Sequence, residues 1–295
     1  MFTGSLVAVV TPMKSGAGPD TQVDLEGLER VLEYHIENKS DGIVAVGTTG
    51  ESATLMTAEH CEVIRRVVQI VNKRVPVIAG TGANSTIEAI ELTDCAREAG
   101  ADACLLVTPY YNKPTQAGLY EHFKVVAERV AIPQILYNVP GRTACDMLPG
   151  TVSALAQLDN IVGVKEATGD LTRVRAIRED CGDDFLLLSG DDETACDFML
   201  MGGDGVISVT ANVAPAAMHE LTRLARTGQR EAAKALDAKL LGLHQSLFLE
   251  SNPIPAKWAV ARMGLIEDGI RLPMTWLSEE FCPQVEAAMK QAEVL

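Results

Sequence analysis

The chain has 295 residues, 47% of them hydrophobic, which suffices for a large core in either two domains or one α/β barrel. A formal net charge of −15 argues against nucleic acid and anionic membranes as partners, because both favour basic patches. We predict a cytoplasmic protein with reduced thiols, no zinc site and no membrane span. The seven cysteines form no CxxC pair, the N-terminus lacks signal-peptide features, and no apolar run reaches about 18 residues.

Eight short runs rich in aliphatic residues alternate with longer helical patterns along the chain. The predicted strands cover residues 5–12, 42–47, 76–82, 103–109, 134–140, 161–167, 185–191 and 205–212. Between them, apolar residues at helical spacing predict helices, among them 25–39, 86–100 and 119–130. After the eighth unit the pattern is helical only, over residues 230–249, 255–264 and 278–293.

Eight strand–helix units predict an α/β protein of the (β/α)8 or TIM barrel type over residues 1–228. Residues 229–295 are then a C-terminal helical extension, packed on the barrel or used in assembly. A doubly wound open sheet is the alternative, but it generally has fewer strands and a nucleotide-binding turn after the first one. Here the first strand is followed by TPMKSGAGPD, which is not such a turn.

In a (β/α)8 barrel the catalytic groups lie at the carboxyl ends of the strands, and Lys165 lies near the carboxyl end of the sixth predicted strand. A lysine is rarely buried without a partner. When desolvated it can be an uncharged nucleophile that attacks a ketone to form a Schiff base. The alternative is a strand-end lysine paired with Glu166 or Asp191. Tyr137 on the preceding strand favours the nucleophile, because its phenol could shuttle protons.

Further polar groups follow the other strands on the same predicted rim. GTTGES at residues 47–52 offers hydroxyls and backbone N–H groups to a carboxylate, or is simply a glycine turn with capping hydroxyls. Arg142 could clamp a carboxylate bidentately, or be an ordinary surface arginine. Tyr110 and Tyr111 lie on this rim as well. The three acids at 191–193 favour capping of the next helix over a metal site.

With these motifs the chain resembles the dihydrodipicolinate synthases, also called 4-hydroxy-tetrahydrodipicolinate synthases. They belong to the pyruvate-dependent class I aldolases, which include N-acetylneuraminate lyase. The resemblance covers essentially the whole chain and rests on FTGSLVAVVTPM (2–13), VGTTGESATL (46–55), TPYYNKPTQAGLYEHF (108–123), ILYNVPGRT (135–143), GVKEATGDLTRV (163–174) and SGDD (189–192). It implies a lyase that joins pyruvate to L-aspartate 4-semialdehyde in the diaminopimelate and lysine pathway. It also implies no cofactor, no catalytic metal, and a homotetramer built of tight dimers.

The resemblance assigns roles residue by residue. Lys165 is similar to the Schiff-base lysine, and Tyr137 to the tyrosine that relays protons beside it. Thr48 is similar to a threonine that links two tyrosines, and Tyr111 to one that a neighbouring subunit inserts into the site. The substrate-binding positions are Thr49 for the pyruvate carboxylate, Arg142 for the carboxylate of the aldehyde, and Gly190 and Ile207 as wall residues. The sialic acid lyases do not carry an arginine at the position of Arg142, which favours the synthase.

The family also has feedback inhibition by L-lysine at the dimer interface. The matching positions are Ser52, Ala53, His60, Asn84, Glu88 and Tyr110. Glu88 could meet an ammonium group, while His60 and Tyr110 offer hydrogen-bond donors. Thr57 departs from the pattern, since some lysine-sensitive members have histidine there. We expect lysine to inhibit.

Two other functions use different residues. A metal-dependent aldolase would place Asp191, Asp192 and Glu166 on a divalent ion and would lose activity in a chelator. A non-catalytic barrel could bind a keto acid as a sensor, without turnover. Neither needs the combination of Lys165, Tyr137 and Thr48, which weighs against both.

Overall fold

The computed structural model describes residues 2–295, in which eight parallel strands form a barrel closed in sequence order. The strands are β1 Gly4–Ala8, β2 Gly42–Ala45, β3 Val77–Gly80, β4 Ala103–Val107, β5 Gln134–Asn138, β6 Ile161–Glu166, β7 Leu186–Ser189 and β8 Gly205–Ser208. The predicted (β/α)8 barrel is confirmed. Each strand is shorter than its predicted run, because the remaining residues of that run leave the sheet and form its ends.

Helices surround the barrel and continue beyond it. They are α1 Leu25–Glu37, α2 Thr57–Val71, α3 Thr86–Ala99, α4 Gln116–Arg129, α5 Pro140–Thr143, α6 Pro149–Leu155, α7 Thr172–Cys181, α8 Asp192–Leu200, α9 Pro215–Arg226, α10 Arg230–Ser246, α11 Ile254–Arg262 and α12 Cys282–Gln291. Two short 3-10 helices cover Ser52–Thr54 and Thr210–Asn212. None of the helices in residues 2–295 has the length and apolar composition needed to cross a membrane.

The strands are buried on both faces, which explains their continuous apolar sequences. One set of side chains fills the barrel interior, and the alternate set packs against the helices. On β6 the side chain of Val164 belongs to the outer set, so the side chain of Lys165 is directed to the interior. In the sheet register Lys165 lies between Tyr137 of β5 and Leu188 of β7, and both of these belong to the interior set.

The C-terminal helices share the outer core of the barrel. Leu240 and Leu243 of α10 are buried in the same apolar cluster as residues of α9 and α8. The segment between α10 and α11 reaches the carboxyl ends of the strands, where Phe248 and Asn252 line a cavity. The extension therefore contributes to that end of the barrel in addition to packing on its side.

The prediction that all cysteines are free thiols is wrong. Cys61 on α2 and Cys95 on α3 form a disulfide with their Cα atoms 6.1 Å apart. These residues are separated by 34 positions in sequence, and the packing of α2 against α3 brings them together. No local spacing motif could reveal this pair. The remaining five cysteines are free: Cys104, Cys145, Cys181, Cys196 and Cys282.

Candidate active site

Lys165 is buried at the end of β6 with its side chain inside the barrel. Its Nζ atom lies 4.1 Å from the centroid of the Tyr137 ring. Among residues 2–295, no carboxylate approaches this amine to within 4.0 Å. The alternative of a strand-end lysine paired with Glu166 or Asp191 therefore does not hold, and the amine faces an aromatic ring instead of a counter-ion.

Glu166, the next residue on β6, has other partners. Its Oε1 accepts a hydrogen bond from the Thr168 backbone N–H at 2.8 Å, and its Oε2 accepts one from the Asn138 amide at 3.2 Å. The Arg173 guanidinium lies 3.6 Å from the same Oε2. The carboxylate is thus held on the opposite side of the strand from Lys165, because successive side chains alternate in direction.

The acids after β7 do not converge on one point either. Asp191 accepts a hydrogen bond from the Thr194 hydroxyl at 2.6 Å, and burial raises the pKa of Asp191. Asp192 accepts from the backbone N–H groups of Val209 and Thr210, each at 2.9 Å. In the part of the chain that the structure describes, no group of three potential metal ligands is clustered. The arrangement required by the metal-dependent alternative is therefore not present in these residues.

Gly190 leaves the space that the Lys165 side chain occupies. A Cβ atom at this position would lie 2.6 Å from the Ala167 Cβ and 2.8 Å from the Lys165 Cε. Both distances are shorter than real Cβ contacts, so any larger residue must displace the lysine or its neighbour. The predicted wall position is therefore a steric requirement of the lysine side chain.

A cavity of about 130 Å³ opens at the carboxyl end of the barrel. Six of the predicted site residues line it: Lys165, Tyr137, Thr48, Thr49, Arg142 and Gly190. Two others do not. Ile207 is buried in the barrel interior, where Val209 takes the lining position instead. Tyr111 is 89% exposed outside the cavity, with φ at +73°.

Asn252 is a residue of this cavity that the sequence reasoning missed. Its side-chain Nδ2 donates to the Thr49 hydroxyl at 3.0 Å, and its backbone carbonyl oxygen accepts from Arg142 Nη2 at 3.4 Å. It therefore joins the two predicted carboxylate-binding residues, although it lies 203 positions after Thr49 in the chain. The dipeptide Asn-Pro at 252–253 is a local signal for a turn in the segment before α11.

A second cavity of about 280 Å³ lies beside the first. Ser52, Ala53, His60, Glu88 and Tyr110, five of the six predicted lysine-site residues, line it, as does Thr57. Asn84 does not line it, but its carbonyl accepts a hydrogen bond from the Asn112 amide at 2.9 Å. The two cavities share Thr48, Val139, Arg142 and Asn252 as lining residues.

The contacts and burial of His60 and Tyr110 determine which hydrogen bonds each can offer in the second cavity. His60 Nε2 lies 2.8 Å from the Gly80 carbonyl oxygen, and burial lowers the pKa of His60. Because a carbonyl only accepts, Nε2 carries the proton, and the neutral ring keeps a lone pair on Nδ1. Burial, followed by the charge of Glu88, raises the pKa of Tyr110. The cavity therefore presents the Glu88 carboxylate, the acceptor Nδ1 of His60 and the protonated phenol of Tyr110 to a ligand.

The sequence matches the Dihydrodipicolinate synthetase family over residues 1–292. The 4-hydroxy-tetrahydrodipicolinate synthase of Stutzerimonas stutzeri is 61% identical over 295 residues, which cover 100% of both chains. The crystal structure of the chloride-inhibited dihydrodipicolinate synthase from Acinetobacter baumannii, complexed with pyruvate, is 53% identical over 100% of each chain, with a TM-score of 0.96. The structure of the enzyme from Cyanidioschyzon merolae with lysine bound is 38% identical, covers 100% of this chain and 99% of that one, and has a TM-score of 0.95.

Proposed function

The chain belongs to the dihydrodipicolinate synthetase family, and from this premise we propose how its site condenses pyruvate with L-aspartate 4-semialdehyde. The enzyme is a Schiff-base-forming synthase of the class I aldolase type, and its product is 4-hydroxy-tetrahydrodipicolinate. One observation carries the assignment of the site. The amine of Lys165 has no carboxylate partner within residues 2–295, and it lies against Tyr137 in a cavity that Arg142 also lines.

The first half of the reaction uses pyruvate. Lys165 Nζ attacks the keto carbon, a carbinolamine forms, and loss of water leaves the protonated Schiff base. We propose that Tyr137 moves protons in these steps, and the contact of its ring with the amine supports this role. We propose that the Thr49 hydroxyl donates to the pyruvate carboxylate; the hydrogen bond that it accepts from Asn252 leaves its O–H free to do so. We propose that Thr48 continues the proton relay.

The second half joins the two substrates. Loss of a methyl proton from the Schiff base gives an enamine. Its carbon forms a bond to the aldehyde carbon of aspartate semialdehyde, while the aldehyde oxygen takes up a proton and becomes the hydroxyl group of the product. The amino group of that substrate then attacks the imine carbon and displaces Lys165 as the ring closes. Arg142 would hold the carboxylate of the incoming aldehyde, because guanidinium matches a carboxylate with two parallel hydrogen bonds. No cofactor or metal takes part in this proposal.

We propose that the active unit is a homo-oligomer, a tetramer made of tight dimers. Tyr111 supports this, since a tyrosine exposed to 89% beside the cavity is available to a neighbouring subunit. It would enter the partner's site and extend the relay through Thr48. Sedimentation of the wild-type protein tests the tetramer. A mixture of Tyr111→Phe and Lys165→Met subunits tests the exchange, because activity should return only where subunits complement each other.

We further propose that L-lysine binds in the second cavity and inhibits the enzyme. Glu88 would meet the ammonium group, and the free Nδ1 of His60 and the phenol of Tyr110 would add hydrogen bonds. Thr57 lines this cavity too, where a histidine would offer an additional partner.

We also propose the cytoplasm as the compartment of the enzyme, which fractionation of cells would test.

Another pyruvate-dependent aldolase activity, such as N-acetylneuraminate cleavage, is the second candidate. It would use the same lysine and tyrosine. Arg142 at the cavity favours the synthase, because it supplies a second anion site for a small amino acid aldehyde. An assay with each substrate set separates the two: turnover of pyruvate with aspartate semialdehyde is expected, and cleavage of sialic acid is not.

Borohydride trapping with pyruvate, followed by peptide mass mapping, tests the mechanism. The adduct is expected on Lys165, and the Lys165→Met variant should give none. Lys239→Met on the exposed side of α10 is the matched control, which should trap as the wild type does. A wild-type enzyme that turns over both substrates without an adduct would overturn the lysine assignment.

A further inference from the structure

A fully buried ion pair lies next to the active site and takes no part in the steps above. Lys257 of α11 pairs with Glu51 in the turn after β2, and neither side chain is exposed. Burying two charges costs more hydration than most such pairs recover, and apolar residues of similar size generally stabilise a fold as well or better. Fold stability is therefore a poor explanation for this pair.

The Glu51 carboxylate is held on both oxygens by the C-terminal part of the chain. Lys257 Nζ donates to Oε1, and the Arg271 backbone N–H donates to Oε2 at 3.2 Å. Glu51 itself has a left-handed backbone conformation, with φ at +57° and ψ at +36°. A residue with a side chain adopts this conformation only when its surroundings enforce it. The two bonds to the carboxylate supply that enforcement.

The turn held in this way is the one that presents Thr48 and Thr49 to the cavity. The Glu51 N–H donates to the Thr48 carbonyl at 3.1 Å, and the Ser52 N–H donates to the Gly47 carbonyl at 3.3 Å. Movement of Glu51 therefore moves the backbone of both threonines. At the same time the turn is closely packed, since a Cβ on Gly50 would lie 2.9 Å from the Val46 Cα.

Arg271 extends the contact to the residues that follow the turn. Its guanidinium donates to the Thr54 carbonyl at 3.0 Å and to the Thr21 carbonyl at 2.8 Å. It also makes a bidentate pair with Glu59 at the start of α2, at 2.5 and 2.6 Å. The segment from Glu51 to Glu59 is thus anchored at both ends by the C-terminal extension.

We propose that Glu51, Lys257 and Arg271 form a positioning clamp that sets the hydroxyls of Thr48 and Thr49 for pyruvate. These three are positioning residues, because none of them lines the first cavity and each acts through the turn. The inference rests on the proposed function, in which Thr49 binds the pyruvate carboxylate. It gives the C-terminal extension a role in substrate binding as well as in packing.

The double variant Glu51→Met/Lys257→Met separates positioning from stability. It removes both buried charges together and keeps the side-chain volume, so the thermal unfolding midpoint should stay close to that of the wild type. The half-saturating pyruvate concentration for borohydride trapping should rise about tenfold, the loss expected for charge-assisted hydrogen bonds. Turnover at saturating pyruvate should also fall, since Thr48 is displaced with Thr49. The matched control is Arg262→Met/Glu286→Met, which removes a surface ion pair that also involves α11. It should leave the half-saturating pyruvate concentration and the turnover unchanged.

The results of these trapping experiments separate a failure of the clamp proposal from a failure of the proposed function. No adduct in the wild type would overturn the proposed function. Trapping in the wild type, with the same pyruvate dependence in a folded double variant, would overturn the clamp alone. If the double variant does not fold, Glu51→Gln decides the matter. Its neutral amide keeps the shape but has one acceptor oxygen in place of two, so it can accept from Lys257 or from the Arg271 N–H but not from both. A rise of about threefold supports the clamp, and an unchanged value refutes it.

Discussion

Replacing Gly190 by alanine adds one methyl group against the lysine chain. The backbone of Gly190 lies outside the left-handed region, so alanine meets no conformational strain there. Its Cβ would lie 2.8 Å from the Lys165 Cε, whereas ordinary contacts begin near 3.4 Å. The Cε must therefore retreat by about 0.6 Å, and the amine at the end of the chain moves with it.

The expected effect is larger on catalysis than on stability. Overpacking of this kind costs roughly 1–3 kcal/mol of unfolding free energy. A displaced nucleophile costs far more in rate, since a shift of about 1 Å from attack geometry lowers reactivity roughly 100-fold. Because the displacement is about 0.6 Å, we expect kcat/KM for pyruvate to fall by about one to two orders of magnitude, with the unfolding midpoint lowered by several degrees.

The assay compares the initial rate of adduct formation, followed by intact mass, with the thermal unfolding midpoint. Gly150→Ala is the control, because a Cβ at Gly150 meets nothing within 4 Å. It should leave both the trapping rate and the midpoint at wild-type values or slightly above. A Gly190→Ala enzyme that traps pyruvate at the wild-type rate would refute the steric reasoning.

Three further predictions follow from single side chains. Arg142→Met should raise the KM for aspartate semialdehyde about 100-fold while pyruvate trapping changes little; equal losses in both assays would contradict its role. Glu88→Gln should weaken lysine inhibition about tenfold without changing kcat, whereas Glu91→Gln, exposed on the same helix, should change neither. Burial lowers the pKa of His35 to about 3, so the folded protein binds fewer protons than the unfolded chain. The stability from this residue is then complete above pH ~6.5 and falls by about 1.4 kcal/mol per unit between that pH and about 3. Urea titrations of His35→Asn should show a shallower decline than the wild type over this range.

Much of the fold and part of the site followed from local sequence patterns. Eight apolar runs separated by helices define a closed parallel barrel, because each strand must bury both faces. The contact between Tyr137 and Lys165 was also predictable. Neighbouring parallel strands end at the same rim, and the alternation of side chains then directs both residues inward.

The rest depends on packing between distant segments, which no local pattern reports. Asn252 reaches Thr49 only because the segment after α10 folds over the barrel end. The disulfide between Cys61 and Cys95 requires the side-by-side placement of two helices. Ile207 was expected at the cavity wall, yet it is buried among the interior side chains of the barrel, and Val209 lines the cavity instead. The Asn252–Thr49 contact joins residues 203 positions apart, and the disulfide joins residues 34 positions apart.

The same long-range packing offers a route by which the second cavity can affect the first. Glu51, Ser52 and Ala53 line the second cavity, while Thr48 lines both, so one turn carries residues of each. A ligand that binds beside Glu51 in the second cavity therefore contacts the turn that the clamp holds. Coupling of this kind is reciprocal for binding. If bound lysine weakens pyruvate binding through this turn, pyruvate must weaken lysine binding by the same factor, and loosening the clamp must reduce both effects together.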